Sequence, residues 1–196
     1  PGMTERELAQ SLERRMVDLG AHGPAFPSIV AAGEHSAVPH HQPTTRPLKH
    51  GDLLKVDFGA LVSGYHSDCT RTFTLGAASD WQRDLHHQVL LAQTAGLAAV
   101  RAGAKLSDVD SAARSAMSDD VNNFQHGLGH GVGLEIHEDP FFRATSDGTL
   151  REDVVVTVEP GRYLPQRGGV RIEDTVLVTS DGYESLTVFP RDLTEL

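Results

Sequence analysis

The chain has 196 residues, 39% of them hydrophobic with a further 19 Gly, which is length for one domain with a sizeable core and excludes disordered, collagen-like and coiled-coil classes. A formal net charge of −10 argues against a nucleic-acid partner, because phosphate binding needs a basic face. A lone Cys excludes a disulfide framework and agrees with a reducing, cytoplasmic compartment. The apolar runs fall far short of the roughly 18–20 residues that span a bilayer.

The chain opens on Pro1-Gly2 without a signal-peptide pattern and reads as a cut rather than a natural start. Thr4-Glu5-Arg6-Glu7 forms a capping box, and Leu8, Leu12, Met16 and Leu19 follow at helical spacing towards Gly20. Leu53–Phe58 and Arg71–Leu75 read as strands joined by a turn rich in Gly, Tyr and Ser. Ser79-Asp80-Trp81-Gln82 starts a second helix through Leu97, ending near Gly103, and Ser107-Asp108 a third, to about Met117. Val154–Val158 and Val170–Thr179 return to strand character. No linker divides the chain. The pattern predicts an α+β domain over 1–196, with helices on a curved antiparallel sheet.

The two strand pairs repeat each other. Asp52-Leu53-Leu54 leads to Val56-Asp57-Phe58-Gly59, and Asp153-Val154-Val155 leads to Val158-Glu159-Pro160-Gly161; each block then offers a second acid, Asp68 or Glu173. Asp57 and Glu159 end apolar strands, where an unpaired carboxylate costs several kcal/mol. Such acids are paired or coordinated, with Arg162 and Arg171 the candidate cations for Glu159. Four acids and a histidine would suit divalent ions, harder ones such as Mn²⁺ or Mg²⁺. The run His126-Gly127-Leu128-Gly129-His130-Gly131-Val132-Gly133 gives an i, i+4 histidine pair, but its glycines disfavour a helix. A strand or loop open to close substrate approach fits better. Its GxGxGxG spacing is not a dinucleotide fingerprint, and His137-Glu138 is not a zincin motif, since Phe141 replaces the second His.

Taken in order, Ser36-Ala37-Val38-Pro39-His40, Asp57-Phe58-Gly59-Ala60, Ser67-Asp68-Cys69-Thr70-Arg71-Thr72, the histidine run, Val158-Glu159-Pro160-Gly161 and Gly169-Val170-Arg171-Ile172-Glu173-Asp174 carry a resemblance. The chain resembles the catalytic domain of the pita-bread metallopeptidases, in their Xaa-Pro aminopeptidase and Xaa-Pro dipeptidase (prolidase) branch. The resemblance implies a pseudo-two-fold repeat and two divalent ions, Mn²⁺ first, with Co²⁺ or Zn²⁺ possible. Asp57, Asp68, His130, Glu159 and Glu173 would be the ligands, with Asp68 and Glu173 bridging. It further implies attack by a metal-bridging hydroxide on the Xaa-Pro bond of a small peptide. Glu159 would handle the proton, His137 and His40 would donate to substrate and oxyanion, His126 would line the proline pocket, and Arg171 would position the substrate or steady its neighbours.

Family members usually carry a preceding domain and an earlier helix, which makes this chain a truncated catalytic domain and puts its activity and a possible homodimer in question. Two alternatives stay open: a methionine aminopeptidase, and a metal-binding but non-catalytic domain acting as a binding module. His22, His35, His50, His66, His86 and His87 read as surface or packing residues, Cys69 as a small buried hydrophobe, and Arg143–Arg151 as a solvated loop.

Overall fold

The computed structural model describes residues 2–117 and 125–196. The first half holds α1 (Glu5–Asp18), β1 (Gly23–Pro24), β2 (Ile29–Ala32), a 3-10 turn (Gly33–Ala37), β3 (Leu53–Phe58), β4 (Ala60–Val62), β5 (Tyr65–His66) and β6 (Cys69–Thr74). Two helices follow, α2 (Asp80–Ala99) and α3 (Leu106–Ala116). The second half holds β7 (Gly129–Gly131), β8 (Glu138–Phe142), β9 (Val155–Val158), β10 (Gly161–Leu164), β11 (Gly168–Arg171), β12 (Asp174–Val178), β13 (Tyr183–Ser185) and β14 (Thr194–Glu195). Among the described residues no helix is long and apolar enough to cross a membrane.

Local chemistry sets the helix starts. Thr4 Oγ1 accepts from Glu7 N at 3.2 Å while the Glu7 carboxylate accepts from Thr4 N at 2.7 Å, so the predicted capping box forms. Ser79 and Gln82 repeat the device on α2, where Gln82 Oε1 accepts from Ser79 N at 2.9 Å. The third helix begins at Leu106, one residue before the predicted Ser107, because Leu106 N donates to Gly148 O instead of to a side-chain cap.

Two antiparallel arrays carry the predicted repeat. The order β2-β3-β6 in the first half matches β7-β9-β12 in the second, and β14 adds in parallel to β6. Strand period then sorts the side chains. Leu54 and Val56 on β3 pack with Val30, Ala32 and Ala9 of α1, while Val156 and Val158 on β9 pack with Leu97, Val109 and Ala113 of α2 and α3. The alternate positions, Lys55 and Asp57 on β3 and Thr157 before Glu159, face the other way. The first side is apolar; the other begins apolar, with Leu53 packed on Leu85 and Val89 of α2, and turns polar at Lys55 and Asp57.

Three departures from the sequence reading have local causes. The predicted strand Val170–Thr179 is broken at Ile172-Glu173, because β11 pairs with β10 whereas β12 pairs with β9. At the break Glu173 N donates to Thr70 O at 3.1 Å, which fastens the two halves together. The glycines of the histidine run also admit neighbouring protein backbone: a Cβ at Gly129 would lie 2.0 Å from Thr157 O, and one at Gly131 2.5 Å from Asp139 O, while Gly127 and Gly129 line the pocket beside the site. The predicted turn is a β4–β5 hairpin whose tip, Ser63 and Gly64, takes φ of 52° and 87°, the paired positive values of a type I′ turn.

Glu5 does more than the capping-box reading assigns it. Its carboxylate is fully buried and accepts from Ala32 N (2.9 Å), Thr44 N (3.0 Å), Thr44 Oγ1 (2.7 Å), His35 Nδ1 (3.0 Å) and His41 Nε2 (2.9 Å). Burial alone would raise its pKa, but the bonds from Thr44, Ala32 and His41 outweigh it and hold the group at about 2. Glu5→Gln therefore destabilises the fold by about 2–3 kcal/mol at neutral pH. Since the folded-state pKa is depressed, the wild-type advantage is complete above the unfolded value near 4.5 and is lost as pH falls towards about 2. Urea unfolding of both proteins across this range checks it.

Candidate metal centre

The inward side of the two arrays converges on one cavity. Asp57 ends β3, Asp68 precedes β6, Glu159 follows β9, and Glu173 stands at the β11–β12 break. With His130 from β7 they line a cavity of about 100 Å³, closed by Phe26, Ile29 and Ile136 and by His40 and His137. All five residues expected as ligands are thus brought together. Ligand atoms of Asp68, His130 and Glu173 lie within 4.8 Å of one another. His130 Nε2 is 3.3 Å from Glu159 Oε1 and 3.7 Å from Asp68 Oδ2.

The electrostatics of the cavity call for positive charge. Asp57 Oδ1, Asp68 Oδ1 and Glu173 Oε1 are buried without a hydrogen-bond partner among the described residues, a costly state for carboxylate oxygens. Burial, then Asp57 and Glu159, drive the Asp68 carboxyl well above the ordinary range; burial, then Asp68, Glu159 and Asp57, do the same to Glu173. Glu159 behaves oppositely: burial would raise it, yet the His130 hydrogen bond and the charges of His130 and Arg171 hold it down. His130 Nδ1 donates to Gly131 O at 3.0 Å, which turns Nε2 into the cavity. Burial would lower its pKa, but the Glu159 contact raises it. A divalent cation answers all of these demands at once, and the donor set of carboxylate oxygens with one imidazole suits such an ion.

Around this centre runs a polar frame. Arg171, 1% exposed, contacts Asp57 Oδ2 through Nη2, Thr70 Oγ1 through Nε (3.1 Å), and Tyr163 OH and Pro39 O through Nη1 (2.9 and 3.1 Å). Thr70 Oγ1 in turn donates to Glu173 Oε2 at 2.6 Å. Tyr163 OH lies 2.8 Å from His126 Nε2, and burial lowers the His126 pKa to about 4, so the ring is neutral at pH 7.

A wider pocket of about 340 Å³ adjoins the cavity, lined by His40, His126, His130, His137, Phe141, Arg143 and Glu159. His40 and His137 are exposed on its walls, His137 with its ring 4.5 Å from that of His130. Arg143 is exposed, in keeping with the solvated-loop reading, and also lines this pocket with its guanidinium 5.1 Å from the Phe141 ring. Tyr163 and Lys55 were not legible as site residues, since no motif marks them, and Thr70 stood in a motif without a role of its own; the contacts of all three are long-range. Cys69 is packed, its thiol pushed up to about 12 by burial.

The comparisons with known proteins agree with this geometry. The model of metallopeptidase family M24 matches residues 1–180. The chain belongs to that family. It is 43% identical to a Xaa-Pro dipeptidase of Pyrococcus furiosus over 98% of its own length and 56% of the relative's. It is 40% identical to a putative dipeptidase of Bacillus subtilis, covering 98% of this chain and 53% of that protein. The solved X-Pro aminopeptidase of Thermotoga maritima superposes with a TM-score of 0.97 at 42% identity, over 100% of this chain and 56% of that one. The prolidase of Pyrococcus furiosus gives 0.94 at 43%, over 96% and 57%. The expected pita-bread fold is therefore the fold of this M24 chain, which spans about half the length of the relatives it matches.

The carboxylate cluster makes a thermodynamic prediction. Mn²⁺ added to chelator-stripped protein raises the unfolding temperature, each occupied site contributing about 2.7 kcal/mol at 100 times its Kd. Without metal, stability declines as pH rises towards the elevated pKa values of Asp68 and Glu173, because ionisation then sets like charges against each other. Asp68→Asn melts higher than metal-free wild type and loses most of the Mn²⁺-induced rise. Calorimetry with and without Mn²⁺ at two pH values checks both signs.

Proposed function

We propose that this M24 chain is the catalytic region of a dinuclear, Mn²⁺-preferring exopeptidase that cleaves the bond before proline at the N-terminus of small peptides. The observation that carries the reading is the set of unpartnered carboxylate oxygens of Asp57, Asp68 and Glu173 turned towards His130 and Glu159. Those five residues would hold the ions, with Asp68 and Glu173 shared between them. Bound divalent ions supply Lewis acidity, which acidifies a coordinated water and polarises the scissile carbonyl. The names of the relatives support the preference for proline.

The remaining chemistry falls to side chains of the pocket. Glu159, held ionised by its neighbours, takes a proton from the attacking water and returns it to the departing nitrogen. That return matters for an Xaa-Pro bond, whose tertiary amide nitrogen carries no proton of its own. His40 and His137 stand at the pocket wall to donate to the substrate carbonyl as negative charge develops. His126 and Phe141 offer a flat wall to the proline ring. Arg171 spends its guanidinium on Asp57, Thr70, Tyr163 and Pro39, so its part is to steady the ligands rather than to touch substrate. Arg143 on the pocket wall is placed to meet the free carboxylate of an Xaa-Pro dipeptide.

Hydrolysis of paired Xaa-Pro and Xaa-Pro-Yaa peptides by chelator-stripped protein, with and without Mn²⁺, tests the proposal. Release of the first residue only with metal supports it. Intact peptides despite a metal-induced rise in unfolding temperature overturn the catalytic reading and leave a metal-binding domain. In an active protein, Glu159→Gln and Asp68→Ala lower kcat by about 10²–10⁴-fold. Arg143→Ala raises KM for the dipeptide more than for the longer peptide, in steady-state assays of both.

A further inference from the structure

Lys55 has no part in the roles above. It lies on the inward side of β3, two residues before Asp57, and is fully buried. Its ammonium donates to three backbone carbonyls, Val38 O at 2.6 Å, Pro39 O at 3.1 Å and Ser36 O at 3.2 Å. A buried ammonium is tolerated only when its N–H groups are satisfied, and here three donors meet three acceptors. The acceptors belong to a single segment, the one that delivers His40 to the pocket wall. Ser36 lies in the 3-10 turn, and Val38 and Pro39 leave it without joining a strand. Pro39 O takes a second bond from Arg171 Nη1, and the ammonium also stands 5.0 Å from the Tyr163 ring, whose hydroxyl contacts His126. An apolar side chain, the type an inward buried strand position ordinarily carries, would take the ammonium from all three carbonyls and leave Pro39 O only its bond from Arg171.

We infer that Lys55 is a positioning residue, whose ammonium gathers the Ser36, Val38 and Pro39 carbonyls and so fixes where the His40 imidazole stands in the pocket. Its kinetic readout rests on the exopeptidase reading; its spectroscopic readout does not. In the metal-loaded protein, Lys55→Met lowers kcat for an Xaa-Pro peptide by about 10- to 100-fold, the loss expected from misplacing one catalytic group by an ångström. KM and metal content stay at wild-type levels. Because Lys55 acts through His40, Lys55→Met adds nothing to a His40→Ala background.

Histidine NMR of the protein loaded with diamagnetic Zn²⁺ gives the independent reading. The His40 ring signal, assigned by its loss in His40→Ala, shifts in Lys55→Met, while that of His86 on α2 stays in place. Lys55→Arg keeps the cation in a planar fork that cannot reach all three carbonyls, and gives a smaller His40 shift and an intermediate kcat; it decides the matter should Lys55→Met fail to fold. An unmoved His40 signal in a folded variant overturns the inference. So does a kcat loss that multiplies with that of His40→Ala. Absence of peptide hydrolysis in wild type overturns the exopeptidase reading alone, since the NMR comparison still reports on Lys55.

Discussion

Four carboxylates converge in a cavity of about 100 Å³, and the rest of the structure is organised around that repulsion. Like charges at such separations in a poorly hydrated space cannot all remain ionised unless positive charge joins them. The protein supplies part of it, as Arg171 against Asp57 and His130 beside Glu159. The oxygens left over on Asp57, Asp68 and Glu173 have no partner among the described residues. The scaffold therefore resists collapse onto its own acids and keeps them divergent enough to receive cations, which is the physical meaning of a metal site in a metallopeptidase.

Rigidity here comes from hydrogen bonds that cross between elements far apart in sequence. Thr70 illustrates the principle: its hydroxyl donates to Glu173 and accepts from Arg171, while its carbonyl accepts from Glu173 N. One threonine thereby orients a ligand and its supporting cation, and seals the seam between the halves. On the other side of the pocket, Pro39 O receives both Lys55 and Arg171. The loop bearing His40 is held by the same guanidinium that holds Asp57. Displacing any member of this frame moves Asp57, Glu173 and the His40 segment together.

Much of this was legible in the sequence, and what was not has a common cause. The capping boxes at Thr4 and Ser79 are local, encoded within four residues, and both form. The acids stood out because a carboxylate at the end of an apolar strand demands a partner, and the motifs around them identified the family. Glu5 reads locally as one acid of a helix's first turn, yet its partners lie 27 to 39 residues away. Lys55 reads as a lysine out of place in a strand, and its three acceptors are carbonyls, invisible to any residue pattern. Glycines in the histidine run signalled close approach, and neighbouring backbone is part of what approaches. Period and spacing reveal which residues need a partner; they do not reveal a partner supplied by distant backbone.

The two halves repeat in strand order but not in what they insert between their acids. Between Asp57 and Asp68 lies the short β4–β5 hairpin, with Tyr65 62% exposed near its tip. Between Glu159 and Glu173 lies the β10–β11 hairpin, buried for most of its length, which carries Tyr163 and Arg171 into the site. Symmetry thus accounts for the four carboxylates, two from each half, whereas the guanidinium that contacts Asp57 and the imidazole beside Glu159 both come from the second half. His130 and His126 precede β9 just as Phe26, Ile29 and His40 precede β3, and there the first half offers two apolar side chains and one imidazole. A repeat of strands built the cup for the ions. The inserted hairpins and leading segments diverge, so the two halves line that cup with different side chains.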